Sequence, residues 1–290
     1  MKRCPFHRVD PSPWPFLTSW GLGVSAISFA QFLHGDSFYW VVAGLCSTVM
    51  CIYWWFVDIV TEATYLGKHT IRVQRGIRIG FCLFLLSESM FFVSFFWAFF
   101  HSALSASHVV GCYWPPEMLS MHCKGIPLAN TGLLVGTIYP CNVAQKAIKS
   151  AQLRPLLLWL GVVMVMGACF VGLQVWEYYT AKFTMADGIY GSCFFALTGL
   201  HGLHVVGGLI FLFVAWNRAR LGHFSPQRHL NLTFAVWYWH FVDGIWIAVY
   251  VFVYIWTGWG WQWSFTEMFS SLSALHSKAV LVIESLESSV

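Results

Sequence analysis

Seven stretches of twenty or more residues run through this chain with at most one charged side chain each. They cover 11–33, 38–57, 79–101, 125–145, 155–176, 188–217 and 230–257. About 20 mostly apolar residues suffice to cross a bilayer as a helix. In lipid the backbone must satisfy its own hydrogen bonds, which leaves helices or a closed barrel. The runs are long and do not alternate, so they read as helices. The stretch at 125–145 is interrupted by Asn130, Pro140 and Asn142 and is the weakest of the set.

Composition agrees. Only 10% of the 290 residues are charged, against about 25% in soluble domains. Too few charges are present to cover a water-soluble surface. No basic tract points to nucleic acid. Six of the nine cysteines lie inside apolar runs and read as small buried hydrophobes. Cys4, Cys112 and Cys123 lie in loops, and a Cys112–Cys123 disulfide would form only if that loop faced an oxidising compartment.

Charge placement tests the span count independently. With seven spans, one bilayer face receives the N-terminus and the second–third, fourth–fifth and sixth–seventh connectors. These hold 13 of the 16 Lys and Arg. Lys124, Lys182 and Lys278 fall on the other face. Basic residues collect on the cytoplasmic side, so the N-terminus is expected on the cytoplasmic or matrix face. One miscounted span would swap the downstream connectors and erase the asymmetry. Aromatic residues cluster near span ends, at Trp54 and Trp55, Trp114, Trp176 with Tyr178 and Tyr179, and Trp259, Trp261 and Trp263, as membrane-interface belts do. Residues 264–290 are Ser-rich with spaced aliphatics, and read as a surface helix or a partner-docking arm.

A few polar residues sit where lipid makes them costly. Glu88 is near the centre of the third span, where an ionisable group costs about 2.5–3.5 kcal/mol. Burial favours the protonated acid. Glu88 therefore reads either as a proton-linked or lipid-facing acid, or as a neutral acid bonded to a neighbouring helix. Asp243 and His240 lie three apart on the seventh span, and His201 and His204 three apart on the sixth. Together they form a candidate intramembrane polar cluster: a metal or haem site, or a hydrogen-bonded lock between helices. No third helix carries a matching His pair, which favours the lock. Asp58 and Glu62 close the second span, followed by His69, Arg72, Arg75 and Arg78. That segment is either a solvated helix end or a phospholipid headgroup site. No phosphate loop, nucleophile elbow or paired CxxC motif is present.

The order of these residues is specific when read jointly. Asp10-Pro11-Ser12-Pro13-Trp14-Pro15 opens the chain. Glu62-Ala63-Thr64-Tyr65, Gly67 and His69 fill the second connector. Ser87-Glu88 leads to Phe95-Phe96-Trp97-Ala98-Phe99-Phe100-His101-Ser102, then Trp114-Pro115-Pro116. Glu177-Tyr178-Tyr179 and Asp187-Gly188-Ile189-Tyr190-Gly191-Ser192 follow. His201-Gly202-Leu203-His204-Val205 and Trp237-Tyr238-Trp239-His240-Phe241-Val242-Asp243 complete the series. This series resembles the cytochrome c oxidase subunit III family over about residues 7–260.

The resemblance implies an all-α integral membrane protein of seven transmembrane helices, in two-helix and five-helix bundles around a lipid-filled, V-shaped cleft. Its parts would be residues 1–67 with the first two helices, 68–260 with the other five, and a 261–290 extension beyond the family core. The implied role is that of a non-catalytic core subunit of cytochrome c oxidase, respiratory complex IV. Such a subunit supports electron transfer from cytochrome c to oxygen, coupled to proton pumping. It would hold no haem, copper or other metal and no catalytic residue; haem and copper belong to partner subunits. Glu88 would be the carbodiimide-reactive, proton-linked acid. Glu62, His69, Arg78 and Arg218 would contact phospholipids. His201, His204, His240 and Asp243 would be structural. Subunit I would be the direct partner, with subunit II and accessory subunits nearby. The expected location is the mitochondrial inner membrane, with the N-terminus in the matrix, ahead of a bacterial inner membrane. The start at the family's N-terminal motif favours an organelle-encoded product.

Some positions depart from the family. Val57 and Thr61 stand where animal members have Arg, Gln145 and Lys146 replace a His pair, and Thr233 replaces an acid. Two other readings remain open: subunit III of a quinol oxidase, which commonly lacks the first two spans, and a stand-alone haem- or metal-binding membrane protein using the His cluster.

Overall fold

The computed structural model describes residues 6–105, 114–116 and 123–258. Among these, the regular elements are helices: α1 (Trp14–Leu33), α2 (Tyr39–Thr64), α3 (Ile71–Leu104), α4 (Ile126–Gly136), α5 (Ile138–Lys149), α6 (Leu153–Thr180), α7 (Ile189–Arg220) and α8 (Leu230–Val249). Helix α8 continues through π-helical turns at Tyr250–Ile255 into a last turn at Trp256–Gly258. Cys4, Cys112, Trp259, Trp261, Trp263 and the 261–290 extension lie outside the described residues, as does the Cys112–Cys123 pairing.

Among the described residues, six helices are long and apolar enough to cross a membrane: α1, α2, α3, α6, α7 and α8 with its π continuation. Their mean hydropathy runs from 1.3 in α1 to 2.5 in α6. The stretch expected as the fourth span forms two short helices instead, of 11 and 12 residues. The cause is local. Pro140 has no amide hydrogen to give the Gly136 carbonyl four residues back. The Thr137 amide turns to Leu134 at 3.0 Å. Thr137 keeps helical dihedrals (φ −72°, ψ −18°), so the backbone loosens there rather than reversing.

The chain divides into two compact units, one ending at Cys82 and one beginning at Leu83, with α3 running through the boundary. In the first unit α1 and α2 pack through a seam of small residues. Thr18, Gly21, Ser25 and Ser28 of α1 are buried, as are Val41, Gly44 and Thr48 of α2. A β-carbon on Gly21 would stand 2.7 Å from Thr48 Oγ1, and one on Gly44 2.9 Å from Ser25 Oγ. Close backbone approach is what small residues give helix pairs in lipid. Ser25 and Thr48 return their hydroxyl protons to the Gly21 and Gly44 carbonyls, at 2.8 and 2.9 Å. The opposite faces carry exposed Phe16, Trp20, Ile27, Val49 and Phe56, which suits a lipid solvent and not water.

The second unit has an aromatic core. Trp239, Trp246, Tyr190, Tyr254, Phe92, Phe99, Phe170 and Phe194 are fully buried. Trp239 slots between two glycines. A β-carbon on Gly167 of α6 would lie 2.5 Å from its ring, and one on Gly208 of α7 3.0 Å. Its indole N–H donates to Thr137 Oγ1 at 2.8 Å, where α4 gives way to α5. Trp246 donates likewise to Thr131 at 3.0 Å. Buried indole N–H groups need such partners. These two bonds pin the broken fourth stretch to α8.

Candidate functional site

The acid at mid-membrane and the two α7 histidines fall in the second unit. His204 Nδ1 lies 2.8 Å from the Leu200 carbonyl. A carbonyl only accepts, so Nδ1 carries the hydrogen. His204 Nε2 then faces Glu88 Oε2 at 2.8 Å. One proton occupies this second bond, shared between an acid and an imidazole nitrogen. Phe92 packs on the imidazole at 4.9 Å, and the Tyr238 ring stacks over it at 6.4 Å and 12°. The Glu88 side chain keeps 25% of its surface exposed, against 11% for His204. The acid is thus tied to a neighbouring helix and still reachable from outside that helix pair.

The four-residue cluster is divided. His201 is fully buried between Phe170 and Trp246. Its Nε2–H donates to the Val242 carbonyl at 3.2 Å, joining α7 to α8. His204 turns away toward α3. His240 Nδ1 and Asp243 Oδ2 stand 3.9 Å apart, beyond hydrogen-bond range. Asp243 lies against Thr137 instead, at 3.4 Å. That hydroxyl is 2.6 Å from the Leu134 carbonyl, and its single proton serves the shorter bond. Asp243 Oδ1 has no hydrogen-bond partner among the described residues.

A second acid, Glu177, stands in the Glu177-Tyr178-Tyr179 motif and is not among the expected site residues. It is buried in α6, where Gln174 Nε2 donates to its Oε2 at 3.0 Å and Tyr254 O–H donates at 3.2 Å. Asn130 of α4 reaches Gln174 at 3.4 Å. This amide–acid–phenol chain joins α4, α6 and the π turns.

The first unit carries a polar cluster where α2 ends. Trp14 Nε1 donates to Asp58 at 2.7 Å, holding the start of α1 to α2. Lys68 donates to Asp10 and approaches Glu62 Oε1 at 4.0 Å. The Lys68 hydrogen bond and charge hold the Asp10 carboxyl below its usual range. The same hydrogen bond raises Lys68. His7 Nε2 lies 3.6 Å from Glu62 Oε2, and the His7 and His69 rings meet edge-on at 5.5 Å. Sequence spacing could not bring His7 to this group, because residues 7, 62 and 69 meet only when the helices fold back. Of the predicted headgroup residues, Glu62 and His69 fall here and Arg78 lies exposed on α3. Arg218 belongs to the second unit, at the end of α7, over the Phe224 ring at 5.0 Å.

The family described as Cytochrome c oxidase subunit III matches residues 4–258. The chain is 42% identical to "Cytochrome c oxidase subunit 3" of Marchantia polymorpha over 251 residues, 85% of this chain and 94% of that one. It is 41% identical to that of Prototheca wickerhamii over 253 residues, 86% and 97% of the two chains. It is 39% identical to that of Ornithorhynchus anatinus over 246 residues, 84% and 94%.

Proposed function

The chain belongs to the cytochrome c oxidase subunit III family, and from that membership we propose that it acts as a non-catalytic core subunit of the oxidase, supporting the subunits that reduce oxygen and pump protons. It packs on subunit I, close to subunit II and accessory subunits. It holds phospholipids through Glu62, His69, Arg78 and Arg218, and presents Glu88 as a proton-linked acid at the lipid face. Haem and copper reside in its partners.

Family membership carries the subunit role, and the Glu88–His204 bond supports the part assigned to Glu88. An acid held by one imidazole at 2.8 Å, with a quarter of its side chain exposed, is positioned to exchange a proton without leaving its helix. The other polar groups support a structural role. His201 is committed to the Val242 carbonyl, and Asp243 lies against Thr137.

In the membrane, α4 and α5 together form the fourth of seven spans. Their combined run from Ile126 to Lys149 has the length a span needs. The first two helices and the last five belong to separate bundles, and the protein holds lipid. The basic connectors lie on the matrix side of the mitochondrial inner membrane, with the N-terminus.

Oxidase depleted of this chain tests the role. It should reduce oxygen at first with its haem spectrum intact, and lose activity faster during turnover than the complete complex. Immediate loss of the haem signal would contradict a supporting role.

A further inference from the structure

We propose that His7, Glu62 and His69 form a binding site for a divalent cation of the zinc class. One ligand atom from each lies within 4.8 Å of the other two. They come from three separate pieces of the first unit: the segment before α1, the last turns of α2, and the α2–α3 connector. His7 Nε2 is the pointed observation. It is buried and has no hydrogen-bond partner among the described residues. The Glu62 carboxylate it faces is 3.6 Å away, beyond hydrogen-bond range. A buried polar atom without a partner is costly. A metal ion between the imidazole and the carboxylate removes that cost.

The donor set selects the ion. Two imidazoles and one carboxylate suit zinc, with a fourth position for water. Calcium and magnesium prefer all-oxygen shells. Zinc bonds of about 2.0–2.2 Å require the three side chains to draw inward by side-chain rotation. The His7 and Glu62 side chains are only 11% and 17% exposed, so solvent does not compete freely. Lys68 does not spoil the charge balance: it approaches the other Glu62 oxygen, and Asp10 neutralises it. Bound metal would tie the N-terminal segment to both the end of α2 and the connector, and so stabilise the unit by mass action.

This goes beyond lipid binding. His7 is outside the headgroup set, and a cation competes with a headgroup amine for Glu62. The test uses the full chain in phosphatidylcholine nanodiscs, stripped with chelator and titrated with Zn2+ alone. One zinc per chain should be retained. Removing a residue that only hydrogen-bonds a metal ligand typically weakens metal sites roughly 10–100-fold. His7→Ala, Glu62→Gln and His69→Ala should each therefore weaken retention more than tenfold. His34→Ala, an exposed imidazole in the α1–α2 connector, should leave it unchanged. X-ray absorption of the wild-type complex needs no variant and should report two imidazoles around zinc. Equal retention in all variants, or a zinc shell without imidazole, overturns the site. Either failure leaves the subunit role untouched, because that role is read from inactivation of the depleted oxidase.

Discussion

His204 and Glu88 stand 116 residues apart in sequence and 2.8 Å apart in space, joined across α7 and α3. The Leu200 carbonyl fixes which imidazole nitrogen faces the acid. The acid is therefore oriented by a ring that is itself oriented by its own helix.

Removing that ring leaves Glu88 without its bond in a low-dielectric setting. His204→Ala should lower the amount of assembled oxidase, while turnover per haem in the surviving complex stays near wild type. Haem-normalised oxygen consumption separates the two effects. Full assembly with a large loss of turnover per haem would mean that His204 acts in the chemistry.

Gly167 admits no side chain. A β-carbon there would meet the Trp239 ring at 2.5 Å, and a locked indole cannot yield as a flexible chain would. Gly167→Ala should destabilise the second unit by about 1–3 kcal/mol, the usual range for overpacking. Thermal unfolding of the full chain in micelles would register it. Gly161→Ala, where nothing lies within 4 Å, should be tolerated.

The Asp10–Lys68 pair gives the N-terminal segment a pH window. Asp10 is lowered from 3.8 by its Lys68 hydrogen bond. Its contribution is thus present above that ordinary value and is lost as pH falls through the folded one. Lys68 is raised from 10.5 by the same bond. Its share is present below that value and fades as pH climbs past the folded one. Asp10 is exposed and Lys68 partly so, so salt screens the pair. Protection of backbone amides near Asp10, taken as exchange relative to the intrinsic chemical rate at each pH, should fall in acid and in high salt, and be greatest near neutral pH at low salt.

Much of the fold was legible because lipid punishes charge. The α1 and α2 windows mark the helices to within a few residues at their starts. The α3 window begins at 79 while the helix begins at Ile71, because a helix satisfies its backbone in water as well as in lipid. Arg72, Arg75 and Arg78 ride on those first turns. The break at Thr137 was signalled by Pro140, but composition cannot tell a kink from a stop. The site was half legible. Glu88 stood out by its cost, but its partner did not. His201 and His204 share a face by spacing, three residues being 60° short of a full turn. That offset suffices to send one ring to α8 and the other to α3.

Orientation in the bilayer has its own check. Single cysteines placed in the 68–78 and 218–228 connectors should react with an impermeant thiol reagent from the same membrane face. Labelling from opposite faces would remove the seven-span arrangement.

Carbodiimide labelling tests most directly the proposal that Glu88, with a quarter of its side chain exposed, is a proton-linked acid. The complete oxidase is treated with a hydrophobic carbodiimide, and the modified residue is located by mass spectrometry in wild type and in Glu88→Gln. The adduct should sit on Glu88 and vanish in the variant, with the complex still assembled. Undiminished labelling of this chain in Glu88→Gln would place the reactive acid elsewhere and contradict the account.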